Sequence, residues 1–403
     1  MKQQKTVTVG FISGLSGVYG WMAQDQLAGV KLAVDEINAA HGIAGRQLRV
    51  VVKDDKSDSK LAQTGTRELI EKDGADFVIG SLSAGTHLFI NSETKKAGKI
   101  FMSIGQSNEI TMAPHLGPYT FHEALTPYMT VNGIGRWVFE RLGKKWFLVI
   151  ADYEWGHHMR DAYTALAKQL GAALIGVVAI PFPAKSANDF TRHFPKIIAA
   201  APDVLVIANY GLDQLKFIEA ANAAGLKRKM SIVHTLSEID IIGRIKPKEA
   251  VGMYWGASFY WELADTLSTA KGFVSAYSKR YRKFPSGYSA YGYSGALELL
   301  GRAQELGIYP LDSDAIARDL EGRTYAHYKN SQWWRPCDHQ SFQDCYVLKL
   351  KGPEERKGRG DISEIVGVTH WDIDMERTCE DLGHAKRLWG NYPAPVNETT
   401  APA

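Results

Sequence analysis

Asp76-Phe77-Val78-Ile79 opens a segment that runs through Ala97-Gly98 to Met102-Ser103-Ile104. Asp203-Val204-Leu205-Val206 opens a second one, which reaches Ala224-Gly225 after the same interval and Met230-Ser231-Ile232 one residue later. Each copy joins a short apolar strand run to an amphipathic stretch closed by glycine and then to another strand, which is the pattern of a βαβ unit on a parallel sheet. A repeat constrains architecture more than any single motif. The likeness reaches further back: Tyr19-Gly20 follows the apolar run at Val7, and Trp155-Gly156 follows the run at Trp146. The chain is therefore expected to hold two similar α/β lobes with Rossmann-like parallel sheets.

Working outward, the first lobe reads as strands at Val7 to Ile12, Leu48 to Val52, Phe77 to Ile79 and Ile100 to Ile104. Helices fall near Gln24 to Ala40, Lys60 to Asp73 and His87 to Ala97, with Gly42, Gly74 and Gly98 at their ends. The second lobe reads as strands at Trp146 to Ala151, Leu174 to Ile180, Val204 to Ala208 and Met230 to His234, with helices near His158 to Leu170, Asp189 to Ala200 and Asp213 to Ala224. From Gly252 the succession breaks, and the remaining strands are too few for a third sheet. That part is expected to complete the two lobes, with residues 1–123 and 254–332 in the first and 124–253 and 333–390 in the second. Lys351 to Gly360 reads as a solvated loop and 391–403 as a disordered tail.

Composition narrows the function. The 403 residues carry 47 basic and 44 acidic groups, a formal charge of +3, so no global field draws the chain to nucleic acid or to an anionic membrane. The uncharged stretch Gln169 to Ala184 contains the helix-breaking Pro181 and Pro183 and falls short of the roughly 20 residues that span a bilayer. Cys337, Cys345 and Cys379 have no CxxC or metal-ligand spacing, and no metal and no cofactor are expected. One disulfide with an odd cysteine fits; closeness in sequence favours Cys337 with Cys345, while all three pairings satisfy the arithmetic. The N-terminus enters a strand directly, without the apolar core and cleavage site of a secretory signal, so either a cytosolic protein or one whose signal has been removed is expected.

Ligands of open parallel sheets bind beyond the carboxyl ends of the strands. The loop around Ser83, Ala84 and Gly85 lies between a buried strand and a helix start, where backbone N–H groups and hydroxyls can approach a carboxylate. Its alternative role is helix capping by Ser83 or Thr86. Gly105, Gln106 and Ser107 arrive from the neighbouring strand end. Tyr19 and Trp155 hold matching places in the two lobes and can cover an apolar ligand moiety, or else pack beneath their loops. Asn209 and Tyr210 follow a second-lobe strand, and Asp213 and Glu238 can meet a ligand ammonium or carry first-turn helix charge.

Enzyme readings are weaker. Gly14, Gly17 and Gly20 give GxxGxxG rather than the dinucleotide-binding GxGxxG, and Asp54-Asp55 comes well beyond the roughly 20 residues expected after the last glycine. There is no GxxxxGK[ST] loop and no GxSxG elbow. His157, His158 and His234 lack carboxylate-spaced partners and read as solvated or capping. Trp333-Trp334 reads as a turn anchored by two large rings. No catalytic residue is expected.

Gly10-Phe-Ile-Ser-Gly-Leu-Ser-Gly17, Gly29-Val-Lys-Leu-Ala-Val-Asp-Glu-Ile-Asn38, Gly42-Ile-Ala-Gly45, Val50 to Asp55, Val78-Ile-Gly80 and Asp338-His-Gln340 follow one another at characteristic intervals. In this order they resemble the type I periplasmic substrate-binding proteins of the branched-chain amino-acid transporter cluster, from Val7 to about Thr369. The resemblance implies two lobes joined by a three-strand hinge, a small carboxylate captured by hinge closure in the interlobe cleft, and delivery by a periplasmic monomer to an ABC permease of the inner membrane. It also implies a carboxylate loop at Ser83 to Gly85 with Gly105 and Ser107, wall aromatics at Tyr19 and Trp155, a further contact from Asn209 to Asp213, and an ammonium-pairing acid near Glu238. His234-Thr-Leu-Ser-Glu-Ile239 replaces the family's glycine-containing surround of that acid, which widens the ligand class to aromatic acids, amides and urea. The aromatic stretch Tyr254-Trp255 through Phe259-Tyr260-Trp261 would suit a flat guest. A cytosolic amide or amino-acid sensor of the same fold is the alternative, and a dinucleotide-dependent enzyme a more distant one.

Overall fold

The computed structural model describes residues 6–17, 20–358 and 360–384. The expected 391–403 tail and Tyr19 lie outside them. The described residues divide into two compact units, 6–125 with 263–343 and 377–384, and 126–262 with 344–376.

In the first unit, β1 (Val7–Ser13), β2 (Leu48–Asp54), β3 (Phe77–Gly80), β4 (Ile100–Ser103) and β5 (Thr120–His122) form a parallel sheet in the order β2-β1-β3-β4-β5. All seven residues of β1 are buried, as its unbroken run of small and apolar side chains requires of a central parallel strand. In the second unit, β6 (Lys145–Ala151), β7 (Ala173–Ile180), β8 (Val204–Ala208), β9 (Ser231–His234) and β10 (Tyr254–Ala257) pair in parallel in the order β7-β6-β8-β9-β10. The two sheets share one topology, so the sequence repeat corresponds to a repeat of fold. In each, the strand order reverses beside the first strand, at β1/β3 and at β6/β8, which are the places where such sheets take ligands.

Later strands complete the units. β11 (Thr324–Tyr325), β12 (Gln332–Trp334) and β13 (Ser341–Phe342) make a small antiparallel sheet in the first unit, while β14 (Cys345–Leu350) and β15 (Ser363–Thr369) extend the second sheet antiparallel from β10. Residues 254–262, expected in the first lobe, belong to the second because β10 pairs with β9 and β14. Residues 333–343, expected in the second, belong to the first. There a buried network around Glu123 holds them: Gln332 Nε2 donates to its carboxylate at 3.0 Å, the Tyr325 hydroxyl donates to it, and Gln343 Nε2 donates to its carbonyl at 2.5 Å.

The chain passes between the units four times rather than the three that the resemblance implies, because residues from Arg377 return to the first unit. The disulfide explains that return. It joins Cys337 to Cys379, with Cα atoms 6.1 Å apart, and not Cys337 to Cys345. Cys345 is a buried thiol on β14 in the other unit, where it packs at Gly133 of the helix Pro127–Arg141. That helix was missed in the sequence although its start is marked: Thr126 Oγ1 accepts from Met129 N–H at 3.0 Å and Pro127 takes the first helical position. The loop 351–360 is more tied than expected, since Lys351 pairs with Glu262 at 3.0 Å and Trp261 Nε1 donates to the Gly360 carbonyl at 2.9 Å. Among the described residues no helix is long and apolar enough to cross a membrane.

Candidate functional site

In the first unit, the loops leaving β1, β3 and β4 are locked together. Ser13 Oγ accepts from Leu82 N–H at 3.1 Å and donates to Gln26 Oε1 at 3.3 Å, and Gln26 Nε2 donates to the Ile104 carbonyl at 2.7 Å. Gly105 is required by this closeness, since a Cβ there would run into the Ser81 carbonyl and the Leu82 backbone. Ser83 is the extended residue before the helix Ala84–Lys96, yet its side chain makes no cap hydrogen bond. Thr86 does not cap either, because its hydroxyl meets the Ser83 carbonyl at 2.9 Å and Ser81 Oγ at 3.0 Å. The Ser83 hydroxyl and the first-turn N–H groups of Ala84 and Gly85, which no helix satisfies internally, therefore form a donor set suited to a carboxylate.

Buried titratable groups hold that loop from below. His87 Nε2 lies 3.0 Å from the Ser81 carbonyl, which fixes the proton on Nε2, and Nδ1 faces Ser103 Oγ at 3.3 Å. Burial holds the imidazole down to about 3, so it is neutral. Asp55 accepts from Ser57 N–H at 2.8 Å and Ser81 Oγ at 3.3 Å, and burial pushes its carboxyl up to about 6. His122 Nε2 lies 2.8 Å from the Gly105 carbonyl. Gln106 and Ser107 are buried beside it, but Ser107 turns its hydroxyl to its own turn, accepting from the N–H groups of Glu109 and Ile110 at 3.3 and 3.4 Å.

In the second unit, the loops after β6, β7 and β8 bring aromatic rings together. Tyr153 stacks on Phe182 with centroids 4.4 Å apart and on Trp155 at 6.3 Å, and Trp155 meets Tyr210 edge-on at 6.0 Å. Trp155 is buried at the start of the helix Glu154–Leu170, where Gly156 lets the first turn approach the Ala151 carbonyl. Asn209, just past β8, is fully buried, and neither its amide nitrogen nor its amide oxygen has a partner among the described residues. Asp213 is buried, accepts from Ala184 N–H at 2.8 Å and pairs with Lys216 Nζ at 3.1 Å. Glu238 is buried before the short helix Ile239–Ile242 and has a partner of its own.

The family described as periplasmic binding protein matches residues 6–359. The chain belongs to this family. A Leu/Ile/Val-binding protein homolog of Brucella abortus is 24% identical over 342 residues, covering 80% of this chain and 84% of the relative. The crystal structure of an amino-acid ABC transporter substrate-binding protein from Pseudomonas fluorescens superposes with a TM-score of 0.86 over 95% of this chain and 99% of that one, at 22% identity. A solute-binding protein of R. palustris solved with benzoate gives 0.78 over 90% and 96%, at 19% identity. The fold is that of the type I periplasmic binding proteins.

As a periplasmic binding protein, the chain presents Ser83, Ala84, Gly85, Gly105, Gln106 and Ser107 on one unit, and Trp155, Asn209, Tyr210, Asp213 and Glu238 on the other. Sequence reasoning missed Tyr153 and Phe182, which join Trp155 in this ring cluster, although Phe182 stands between Pro181 and Pro183 just after a strand, a loop signal in itself. The stretch 254–261 is not a wall. Trp255 is buried with Nε1 donating to Ser363 Oγ at 2.8 Å, and the Tyr260 hydroxyl accepts from Ser363 N–H at 3.1 Å. His234, read as solvated or capping, is fully buried against Phe217.

Proposed function

We propose that this chain is the solute-binding component of an ABC importer, a periplasmic monomer that takes up a small carboxylate and presents it to the permease of the inner membrane without performing chemistry. The observation that carries the reading is the uncapped helix start at Ser83, with its hydroxyl and the Ala84 and Gly85 N–H groups standing at the strand-order reversal of the first unit. The ligand is an amino acid or an aromatic acid, held by loops from each unit. Support comes from the Leu/Ile/Val-binding relative, from structural neighbours that include an amino-acid ABC transporter substrate-binding protein and a solute-binding protein solved with benzoate, and from the stacked rings at Tyr153, Trp155 and Phe182. The Cys337–Cys379 disulfide supports an oxidising compartment.

A thermal-shift screen of amino acids, aromatic acids and amides tests this. A true ligand at a hundredfold excess over its Kd should stabilise the protein by about 3 kcal/mol. Ser83→Trp should abolish that shift while leaving the circular dichroism spectrum and the ligand-free melting point near those of the parent. A shift given only by nicotinamide dinucleotides would overturn the reading.

A further inference from the structure

We infer that the ligand group received by the second unit is neutral and both donates and accepts hydrogen bonds, a hydroxyl or a carboxamide rather than the α-ammonium of an amino acid. This rests on the carboxylate reading above and deepens it to a class: acids, aromatic foremost, that carry a distal neutral polar group.

Asn209 motivates it. Its amide is fully buried at the carboxyl edge of β8 with both heteroatoms unpartnered among the described residues, a state that costs about 1–3 kcal/mol per group unless something completes it. An amide offers two donors and one acceptor without net charge. An ammonium only donates and would leave Asn209 Nδ2 unsatisfied, and a carboxylate only accepts and would leave Oδ1 facing negative charge. A hydroxyl or carboxamide answers both atoms.

The acid that follows Asn209 in the chain is already engaged. Asp213, the acid closest in sequence to Asn209, accepts from Ala184 N–H at 2.8 Å through Oδ2 and pairs with Lys216 at 3.1 Å through Oδ1, so its charge is neutralised within the unit. Glu238 also has an interaction of its own.

The test uses matched acids titrated calorimetrically into the full-length, disulfide-bonded chain after its bound solutes have been removed by reversible unfolding. One pair differs only by a hydroxyl: 4-hydroxybenzoate against benzoate, repeated as 3-(4-hydroxyphenyl)propanoate against 3-phenylpropanoate. The other differs only by the ammonium: L-tyrosine against 3-(4-hydroxyphenyl)propanoate, and L-leucine against 4-methylpentanoate. The expected result is that the hydroxyl tightens binding by about tenfold in at least one series, that Asn209→Leu removes that gain while the unsubstituted acid still binds, and that the ammonium gives no gain. Amino acids binding about tenfold more tightly than their deaminated counterparts, or a hydroxyl gain that survives in Asn209→Leu, would overturn the inference and leave the carboxylate reading standing. Benzamide and 4-hydroxybenzamide serve as carboxylate-free probes. If they kept the same hydroxyl gain and bound as tightly as the acids, the carboxylate reading would fall and the inference about the second unit would stand.

Discussion

In the absence of ligand, lowering the pH from 7 to 5 is expected to withdraw about 2 kcal/mol from each unit through one buried histidine apiece, a loss partly offset in the first unit by Asp55, whose buried carboxyl, pushed up to about 6, takes up its proton sooner in the folded chain than in the unfolded one. His87 in the first unit and His234 in the second are fully buried, and burial holds both down to about 3 against an ordinary value of 6.5. Each is neutral in the folded protein across the working range. As the pH falls below 6.5 the unfolded chain takes up a proton that the folded chain refuses, so stability is lost steadily down to about pH 3 and then levels off. Scanning calorimetry should show the melting temperature of the second unit falling by about 4–8 °C between pH 7 and pH 5, and that of the first unit falling by less. His234 allows the sharper test. Its ring packs edge-on to Phe217 at 5.8 Å, and neither nitrogen has a partner among the described residues. His234→Leu should therefore be no less stable than the parent at pH 7 and more stable at pH 5. A variant that kept the parent's full loss would rule out this histidine as its source.

Reducing the Cys337–Cys379 bond, or replacing it through Cys379→Ser, is expected to cost up to about 4 kcal/mol, the loop-closure entropy of the separation of 42 residues. The loss should be local to the first unit, and its position gives it functional weight. Arg335, held by Asp338 at 2.9 Å, donates to the Arg377 carbonyl at 2.8 Å. Arg377 in turn donates to the Asn108 carbonyl at 3.2 Å, the Leu382 carbonyl accepts from Ala113 N–H at 2.9 Å, and His384 Nε2 meets the Thr111 carbonyl at 2.6 Å. The segment 377–384 thus straps down residues 108–113, which follow directly on the candidate ligand loop at Gly105 to Ser107. Hydrogen exchange of amides 108–113 should quicken by about tenfold or more in Cys379→Ser, with the amides of β8 and β9 unchanged, and carboxylate affinity should fall with it. Unchanged exchange in that loop would show that the strap holds without the disulfide.

What could be read from the sequence follows how local each signal is. The strands β1, β3, β6 and β8 are short apolar runs bounded by glycine or polar residues, and the repeated Asp-plus-apolar openings pointed to two similar α/β lobes, whose sheets share one strand order. The unit boundaries were misplaced because they depend on pairing over long separations: β10 with β14, and Glu123 with Gln332 and Gln343. The cysteines failed for the same reason, since closeness along the chain favoured Cys345 while the C-terminal segment brought Cys379. In the candidate site, loop positions were legible and side-chain roles less so. Nothing in the spacing distinguishes Asp213, occupied by Ala184 and Lys216, from Asn209, whose amide waits for a partner. Aromatic density misled as well, because the rings at 255–261 serve the anchoring of β15 and its preceding loop.

The four passages of the chain between the units set an order of events during synthesis. Unit one begins first, yet it needs residues 263–343 and then Cys379 to close; unit two needs β14 and β15 from 344–376. A nascent chain halted before residue 344 already holds all five strands of the first sheet but lacks β14 and β15 of the second and the Cys379 partner of Cys337. The last described segment to leave the ribosome is the one that fastens the first unit, through Cys379.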